Sequence, residues 1–311
     1  MTAQTSPWPR PMSLRAVLFR KVVRLSLGPI FSSPDMPLLV RRKKLGQLTR
    51  LMGLLPPGGV RIEPARVGGV PGEWVIPKDG DSEGALLYLH GGAYVVGQPP
   101  TYRALNAQIA RDARVKVCVL DYRLAPEHPC PAAIDDALAA YRALLDERPP
   151  SRLVLGGDSA GGGLVMALLL AIRDAKLPMP SGAFLISPWV DLHCEADSYI
   201  READRDVVLS RPVMRQAAGH YAGDLPHDDP RVSPVRADLS GLPPLFIQST
   251  DAEVLADDSA ALLARAQAAE VDATLERWPG LWHDWQVFAG KVPEATQAVR
   301  HLTQFVAACL K

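Results

Sequence analysis

The stretch LVLGGDSAGGGLVMALLL, residues 153–170, decides the fold of this chain. It holds an apolar run as long as a strand, then glycines around one serine, then an apolar run as long as a helix. Glycine inside a strand or a helix costs stability, so a cluster of glycines indicates a tight turn or a close backbone contact. The stretch therefore predicts a strand, a sharp turn and a helix, with Ser159 at the turn.

Strand-like and helix-like segments alternate on both sides of this turn. Eight segments have the pattern of strands, and they span residues 60–67, 72–80, 84–92, 115–124, 152–158, 181–189, 244–250 and 272–278. Residues 132–147 have the clearest helical periodicity. Nearly continuous apolar strands that alternate with helices are typical of a parallel sheet with helices on both faces. The predicted fold class is therefore α/β, with a mostly parallel eight-stranded sheet.

Composition excludes several classes of protein. The chain has 311 residues, 48% of them hydrophobic, which is too apolar for a disordered chain. A formal net charge of zero argues against a nucleic-acid partner and suits a small neutral substrate. Four scattered cysteines without a C-x-x-C pair predict neither a disulfide framework nor a metal site. No apolar run reaches about 18 residues, so we expect no membrane span and, by default, a cytoplasmic protein.

Two regions depart from the alternation of strands and helices. The first 50 or so residues have helical periodicity, and Leu14, Val17, Leu18, Val22 and Leu25 lie near one face of the first helix. That face predicts a helix packed on a larger body, with a helix lying on a membrane surface as the alternative. Residues 190–240 contain charged residues, histidines and prolines but no strand pattern, which indicates an insertion covering one end of the sheet.

The residues around Ser159 have the pattern of a nucleophile. Residues 157–161, GDSAG, fit G-x-S-x-G between a predicted strand and a predicted helix, which is the context of a nucleophile elbow. The spacing does not fit a phosphate-binding loop or a dinucleotide fingerprint. The alternative is a joint of small residues between strand and helix.

A second glycine pair lies at the end of the predicted strand 84–92. Consecutive glycines can turn backbone N–H groups toward one point, as the oxyanion of an acyl-transfer intermediate requires. Gly91 and Gly92, together with the N–H group of Ala160, would form an oxyanion hole with three donors. His90 precedes these glycines and is expected to support their loop.

A serine nucleophile also needs a base and an acid, which in this fold follow it in the order acid, then histidine. Among the seven histidines, His283 lies in the loop after the last predicted strand and is the predicted base. Two carboxylates follow the strand 244–250, Asp251 and Glu253. Either could orient the imidazole and stabilise its charged form.

Several stretches together resemble the bacterial hormone-sensitive-lipase-like esterases of the α/β-hydrolase superfamily. They are HGGAYVVG (90–97), DYRLAPEHPCPAAIDDA (121–137), GDSAGGGL (157–164), SPWVDL (187–192), SGLPPLFIQSTDAEVLADDS (240–259) and WHDW (282–285). The resemblance implies the α/β-hydrolase fold, with Ser159 as nucleophile, His283 as base and Gly91, Gly92 and Ala160 at the oxyanion. Matching EVLADD to the acid segment of the family selects Glu253, although Asp is commoner there and Asp251 stays an alternative.

The same resemblance implies a helical cap over the site. We expect cap helices in residues 1–50 and a catalytic domain in residues 51–311, with a cap insertion at about 190–240. The expected activity is a serine carboxylesterase acting on small or short-acyl esters, aryl esters or lactones, without a metal or an organic cofactor. An amidase or deacetylase with the same triad, or a non-catalytic ligand-binding relative, is the alternative. The sequence leaves a homodimer open.

Overall fold

One β-sheet organises the molecule. The computed structural model describes residues 4–5, 11–52, 58–80 and 83–311. Nine strands lie in these residues: β1 (Gln4–Thr5), β2 (Val60–Val67), β3 (Val70–Pro77), β4 (Ala85–Leu89), β5 (Lys116–Leu120), β6 (Leu153–Asp158), β7 (Gly182–Ile186), β8 (Leu245–Thr250) and β9 (Ala273–Trp278). Their order across the sheet is β1-β9-β8-β7-β6-β4-β5-β3-β2.

The predicted strands match β2 to β9, and the two-residue β1 extends the edge beside β9. The pairings β2–β3 and β3–β5 are antiparallel, and every other pairing in the sheet is parallel. The predicted α/β fold with a mostly parallel sheet is therefore confirmed. A two-residue strand has too few residues to show a pattern in the sequence, so β1 was not predicted.

Ten α-helices accompany the sheet in the described residues. They are α1 (Leu14–Ser26), α2 (Gly28–Ser32), α3 (Leu38–Met52), α4 (Arg103–Ala113), α5 (Ala132–Glu147), α6 (Ala160–Asp174), α7 (Ser198–Arg201), α8 (Arg211–Ala222), α9 (Ala256–Ala268) and α10 (Pro293–Cys309). The helix predicted for residues 132–147 coincides with α5.

Helices cover both faces of the sheet. Alternate side chains of β4 enter two separate hydrophobic clusters, with Leu87 and Leu89 in one and Leu86 and Tyr88 in the other. Successive side chains of a strand point to opposite faces, so the two clusters lie on opposite sides of the sheet. The helix α6 packs in the first cluster, and α4 and α10 pack in the second.

The insertion predicted at about 190–240 lies between β7 and β8 and contains α7 and α8. Its start is fixed to α9 by Asp258, whose Oδ2 accepts hydrogen bonds from the N–H groups of Val190 and Asp191 at 3.2 and 3.1 Å. Part of the predicted N-terminal cap segment, residues 1–3 and 6–10, lies outside the described residues.

The first helix packs through a different face from the one predicted. The apolar face that we expected to contact the body is exposed, with Leu14 at 89% and Leu25 at 79%. Ala16 and Val23, on the opposite side of α1, are fully buried instead. The helix therefore has two apolar sides, and hydrophobic periodicity alone could not tell which one packs.

No helix in the described parts of the chain is both long enough and apolar enough to cross a membrane.

Candidate active site

Ser159 occupies the turn between β6 and α6, as predicted. Its backbone has φ 52° and ψ −122°, a conformation that L-residues rarely adopt. Its own N–H donates to Ile186 O at 2.8 Å, and its carbonyl accepts from Trp189 N at 2.9 Å. These bonds to the end of β7 and the segment after it hold the strained turn in place, and α6 begins at the next residue. The N-terminus of α6 gives the turn a positive potential.

The glycines around Ser159 make room for this turn. A Cβ atom at Gly157 would lie 2.5 Å from Gly161 O and 2.7 Å from Leu89 O. A Cβ atom at Gly161 would lie 2.6 Å from His90 O. Real Cβ atoms do not approach backbone oxygens so closely, so the strand, the turn and the loop after β4 fit together only with glycine at both positions.

His283 and Glu253 form a buried pair. His283 Nδ1 lies 2.6 Å from Glu253 Oε2, and Glu253 is fully buried. Glu253 Oε1 accepts hydrogen bonds from Ser187 Oγ and Thr250 N, both at 2.9 Å. Both carboxylate oxygens are therefore satisfied, and Nδ1 is the protonated nitrogen when the imidazole is neutral.

Asp251, the alternative acid, bonds elsewhere. Asp251 Oδ1 accepts from Gly280 N at 2.6 Å and from Arg205 at 3.3 Å. Its side chain is 42% exposed. The structure therefore brings Glu253, and not Asp251, to the imidazole of His283.

Asp284 is a second carboxylate at this histidine. Its Oδ2 lies 3.1 Å from His283 Nε2, and its backbone is left-handed, with φ 57°. Burial lowers the pKa of His283, but the charges of Asp284 and Glu253 outweigh burial and raise that pKa well above its usual value. Among the described residues Ser159 Oγ makes no hydrogen bond. In an enzyme without substrate, the distance between a nucleophile and its base often exceeds hydrogen-bond length.

The loop after β4 is fixed by buried hydrogen bonds. Tyr122 Oη donates to His90 O at 2.6 Å, and His90 Nδ1 donates to Gly91 O at 2.8 Å. The His90 ring stacks on Tyr122 with 4.4 Å between ring centroids. Burial lowers the pKa of His90 to about 4, so this histidine is neutral near pH 7. His90 supports the loop, as expected from the sequence.

The prediction that Gly91 donates to the oxyanion is wrong in this arrangement. Its N–H group donates to Asp158 Oδ1 at 2.9 Å, and Tyr88 Oη donates to the same oxygen at 2.6 Å. Asp158 is fully buried, and burial raises its pKa well above the usual value for a carboxyl group. An N–H group bound to the oxygen of a buried carboxyl group is not available to a substrate.

Three other N–H groups remain available. Among the described residues, the N–H groups of Gly92, Ala93 and Ala160 donate to no protein acceptor. Gly92 and Ala93 have positive φ values of 119° and 54°, which turn the backbone just after the bonded Gly91. Gly92 and Ala93 line a cavity together with Ser159 and His283. The donor set that the structure supports is therefore shifted by one residue from the predicted one.

The cavity at Ser159 is small and mostly apolar. Its volume is about 80 Å³. Leu27, Phe31 and Leu45 of the N-terminal segment line one part, and Val208 and Leu209 of the insertion line another. A second cavity of about 340 Å³ shares Phe31 and Ala93 with the first. The N-terminal segment and the insertion therefore both contribute walls around Ser159.

The insertion is tied to the loop that bears Glu253. Asp206 Oδ2 accepts from Val254 N at 2.9 Å, and Asp206 Oδ1 accepts from Val208 N at 2.8 Å and Leu209 N at 2.9 Å. Burial raises the pKa of Asp206 to about 6. One buried carboxyl group thus connects the cavity wall to the residue after Glu253.

Sequence reasoning missed Asp158, Asp284, Ser187 and Ala93. The first two directly neighbour the predicted serine and histidine, and Ser187 follows the end of a parallel strand. Polar residues at that edge of a parallel sheet are a recognisable signal of a site. Ala93 has no such signal, because its contribution is a backbone N–H group.

Within the described residues no group of three or more His, Cys, Asp or Glu side chains is arranged to hold a metal ion. The arrangement at Ser159 instead combines a serine on a strained turn, a histidine held by a carboxylate and unpaired N–H donors. These are the parts that acyl transfer through a serine requires.

Comparisons with known proteins agree with this chemistry. Residues 86–287 match a family model described as the alpha/beta hydrolase fold. An acetyl-hydrolase from Streptomyces hygroscopicus is 43% identical over 79% of this chain and 81% of its own. An esterase from Acinetobacter venetianus is 37% identical over 85% of this chain and 87% of its own.

Solved structures agree along nearly the whole chain. A crystal structure of EstE5 is 39% identical, with a TM-score of 0.90 over 96% of this chain and 99% of its own. An esterase from the bacterial hormone-sensitive lipase family is 38% identical, with a TM-score of 0.91 over 97% of this chain and 100% of its own. The chain therefore belongs to the alpha/beta hydrolase fold family and is a carboxylic-ester hydrolase similar to the bacterial hormone-sensitive lipases.

Proposed function

We propose that Ser159, His283 and Glu253 form the catalytic triad of this esterase. The observation that carries the proposal is the 2.6 Å contact between His283 Nδ1 and buried Glu253 Oε2, at a cavity that Ser159 also lines. A carboxylate on Nδ1 keeps the proton on that nitrogen, so the lone pair of Nε2, which lies beside Asp284 Oδ2, can accept a proton.

The reaction proceeds through an acyl-enzyme. Nε2 of His283 takes the proton of Ser159 Oγ while Oγ attacks the ester carbonyl carbon. The carbonyl π electrons move to the oxygen, and the tetrahedral intermediate collapses when the carbon–alkoxy bond breaks. His283 gives its proton to the leaving alcohol. Water then attacks the acyl-enzyme with the same base and releases the carboxylic acid and Ser159.

Gly92, Ala93 and Ala160 supply the N–H donors to the oxyanion. Their N–H groups have no protein acceptor among the described residues, and Ala160 lies at the positive end of α6. Fixed donors in a site without water stabilise developing charge without reorganisation. The buried bonds of Gly91 to Asp158 and His90 hold the backbone just before these donors.

Short-acyl, uncharged esters suit the cavity. Its volume of about 80 Å³ and its apolar lining leave room for a short acyl chain and offer little to a charged group. The name of the acetyl-hydrolase relative also supports a short acyl group. We propose that the N-terminal helices and the insertion between β7 and β8 together cap this cavity.

The test is hydrolysis of p-nitrophenyl esters of increasing acyl length. We expect acetate and butyrate to exceed decanoate by about tenfold or more in kcat/KM, because a cavity smaller than the usual ligand pocket rejects the long chain. Ser159→Ala should abolish turnover, whereas Ser240→Ala, in an exposed turn, is the matched control. Hydrolysis that survives in Ser159→Ala would show that another residue is the nucleophile.

A further inference from the structure

The outer face of α1 carries apolar side chains that are about half or more exposed in the part of the chain that the structure describes. Leu14, Leu18, Val22 and Leu25 are 89%, 60%, 49% and 79% exposed. Their spacing puts all four on one side of a helix with 3.6 residues per turn. The helix is already anchored through its other side by the buried Val23. The exposed stripe is therefore not needed to hold α1 in the fold.

The same segment is strongly basic. Residues 11–52 contain nine Lys and Arg residues and a single acidic residue, Asp35, in a chain whose formal net charge is zero. Arg15, Lys21 and Arg24 are exposed on α1, and none of them makes an ion pair among the described residues. Helical spacing puts Lys21 and Arg15 at the two borders of the apolar stripe, with Arg24 beyond Lys21 on the same side.

We propose that this face, Leu14, Leu18, Val22 and Leu25 with Arg15, Lys21 and Arg24, docks α1 in the plane of an anionic lipid surface. Apolar residues bordered by basic ones are the pattern of a helix that lies at a lipid–water interface. The leucines enter the boundary between headgroups and acyl chains, and the cations contact lipid phosphates.

The positive charges on this face of α1 favour a lipid surface over a second copy of the chain as its partner. A two-fold interface would place the face of one α1 against the same face of its partner. Arg15, Lys21 and Arg24 would then meet like charges, which opposes association. An anionic surface neutralises all three. Docking also concerns the site, because Leu27, Phe31 and Leu45 of the same basic segment line the cavity at Ser159.

The test is sedimentation of the purified full-length chain with vesicles. We expect binding to phosphatidylcholine vesicles that contain phosphatidylglycerol, and much weaker binding to phosphatidylcholine alone. Each cation near the surface contributes roughly fivefold to the partition coefficient. The triple variant Arg15→Gln, Lys21→Gln and Arg24→Gln should therefore lose about a hundredfold. Binding should also fall with added salt, because the Debye length shrinks from about 10 Å at 0.1 M to about 3 Å at 1 M.

A second variant separates the apolar contribution. Leu14→Gln, Leu18→Gln and Leu25→Gln together should reduce binding about tenfold or more, since glutamine keeps helix propensity and removes the apolar surface. Ile200→Gln is the matched control, because Ile200 is 71% exposed but lies on α7. All three variants should hydrolyse a water-soluble short ester as the wild type does, which shows that they are folded.

Three outcomes would overturn the proposal. The first is wild-type chain that stays in the supernatant with anionic vesicles at low salt. The second is equal binding by the wild type and the triple leucine variant. The third is a wild-type dimer that the leucine variant converts to a monomer without any vesicle binding, which would assign the face to a second copy.

Discussion

Replacing Glu253 by Gln tests the most specific assignment at the site. The fully buried carboxylate accepts three hydrogen bonds, from His283 Nδ1, Ser187 Oγ and Thr250 N. If the amide NH2 of Gln faces Nδ1, two donors meet, and the imidazole must move its proton to Nε2. If the amide oxygen faces Nδ1, the NH2 group meets the Thr250 N–H, which cannot become an acceptor.

Both orientations disturb the base. With the proton on Nε2, His283 cannot accept the proton of Ser159, and loss of the correct tautomer costs about 10⁴ in kcat. That factor corresponds to about 5 kcal/mol of transition-state stabilisation. We expect kcat for p-nitrophenyl acetate to fall by about three to four decades, with a much smaller change in KM.

Asp251→Asn is the matched control. Asp251 is 42% exposed and bonds Gly280 N and Arg205 rather than His283. Kcat in this variant should stay within about threefold of the wild type, because a partly exposed side chain away from the imidazole contributes little. A thermal melt of each variant excludes unfolding as the cause of lost activity. Wild-type kcat in Glu253→Gln, or collapse in Asp251→Asn alone, would refute the assignment of Glu253.

Asp284→Asn should move the acid limb of the kcat/KM profile to lower pH, because the charge of Asp284 raises the pKa of His283 and the base must be neutral to act. An acid limb at an unchanged pH would show that this charge does not act on the base. Tyr122→Phe should lower the unfolding free energy in urea by about 1–2 kcal/mol, since His90 O loses its buried donor; no change would mean that another group satisfies it. The pKa of His90 is about 4 when folded and about 6.5 when unfolded, so only the unfolded chain gains a proton in that range. The unfolding free energy of the wild type should therefore fall as pH drops from about 6.5 toward 4, by up to about 3 kcal/mol more than that of His90→Gln. Parallel plots of unfolding free energy against pH for the two proteins would contradict this. Gly157→Ala should lower stability by about 1–3 kcal/mol in thermal melts, because its Cβ would overlap Leu89 O and Gly161 O, and wild-type stability would show that the backbone can yield.

The sequence was sufficient to predict those elements whose pattern lies within one contiguous segment. The glycines around Ser159 and the apolar run after it predicted β6, the turn and α6, since each element is contiguous in the chain. The order of strands and helices predicted a mostly parallel sheet, because a parallel crossover leaves an alternating pattern. The strand pairing itself, including the two-residue β1, needed the tertiary structure.

The candidate site was harder to predict from the sequence, because its residues come from distant segments of the chain. Family alignment favoured Glu253 over Asp251 from two carboxylates only two residues apart. The structure separates them by their partners, with His283 on one and Gly280 on the other. Gly91 looked equivalent to Gly92 in the sequence, and only the position of buried Asp158 shows that its N–H is already bonded.

By itself the sequence determined the α/β fold class, the turn that presents Ser159 and the histidine and carboxylates that can serve it. These follow from periodicity, glycine spacing and chain order, which act over short distances or through topology rules. The tertiary structure decided which carboxylate reaches Nδ1 of His283, which N–H groups near Ser159 remain unpaired among the described residues, and which side of α1 faces solvent. Each of these depends on contacts between residues far apart in the chain. Packing by those distant neighbours fixes the conformation and the hydrogen-bond partner of each side chain.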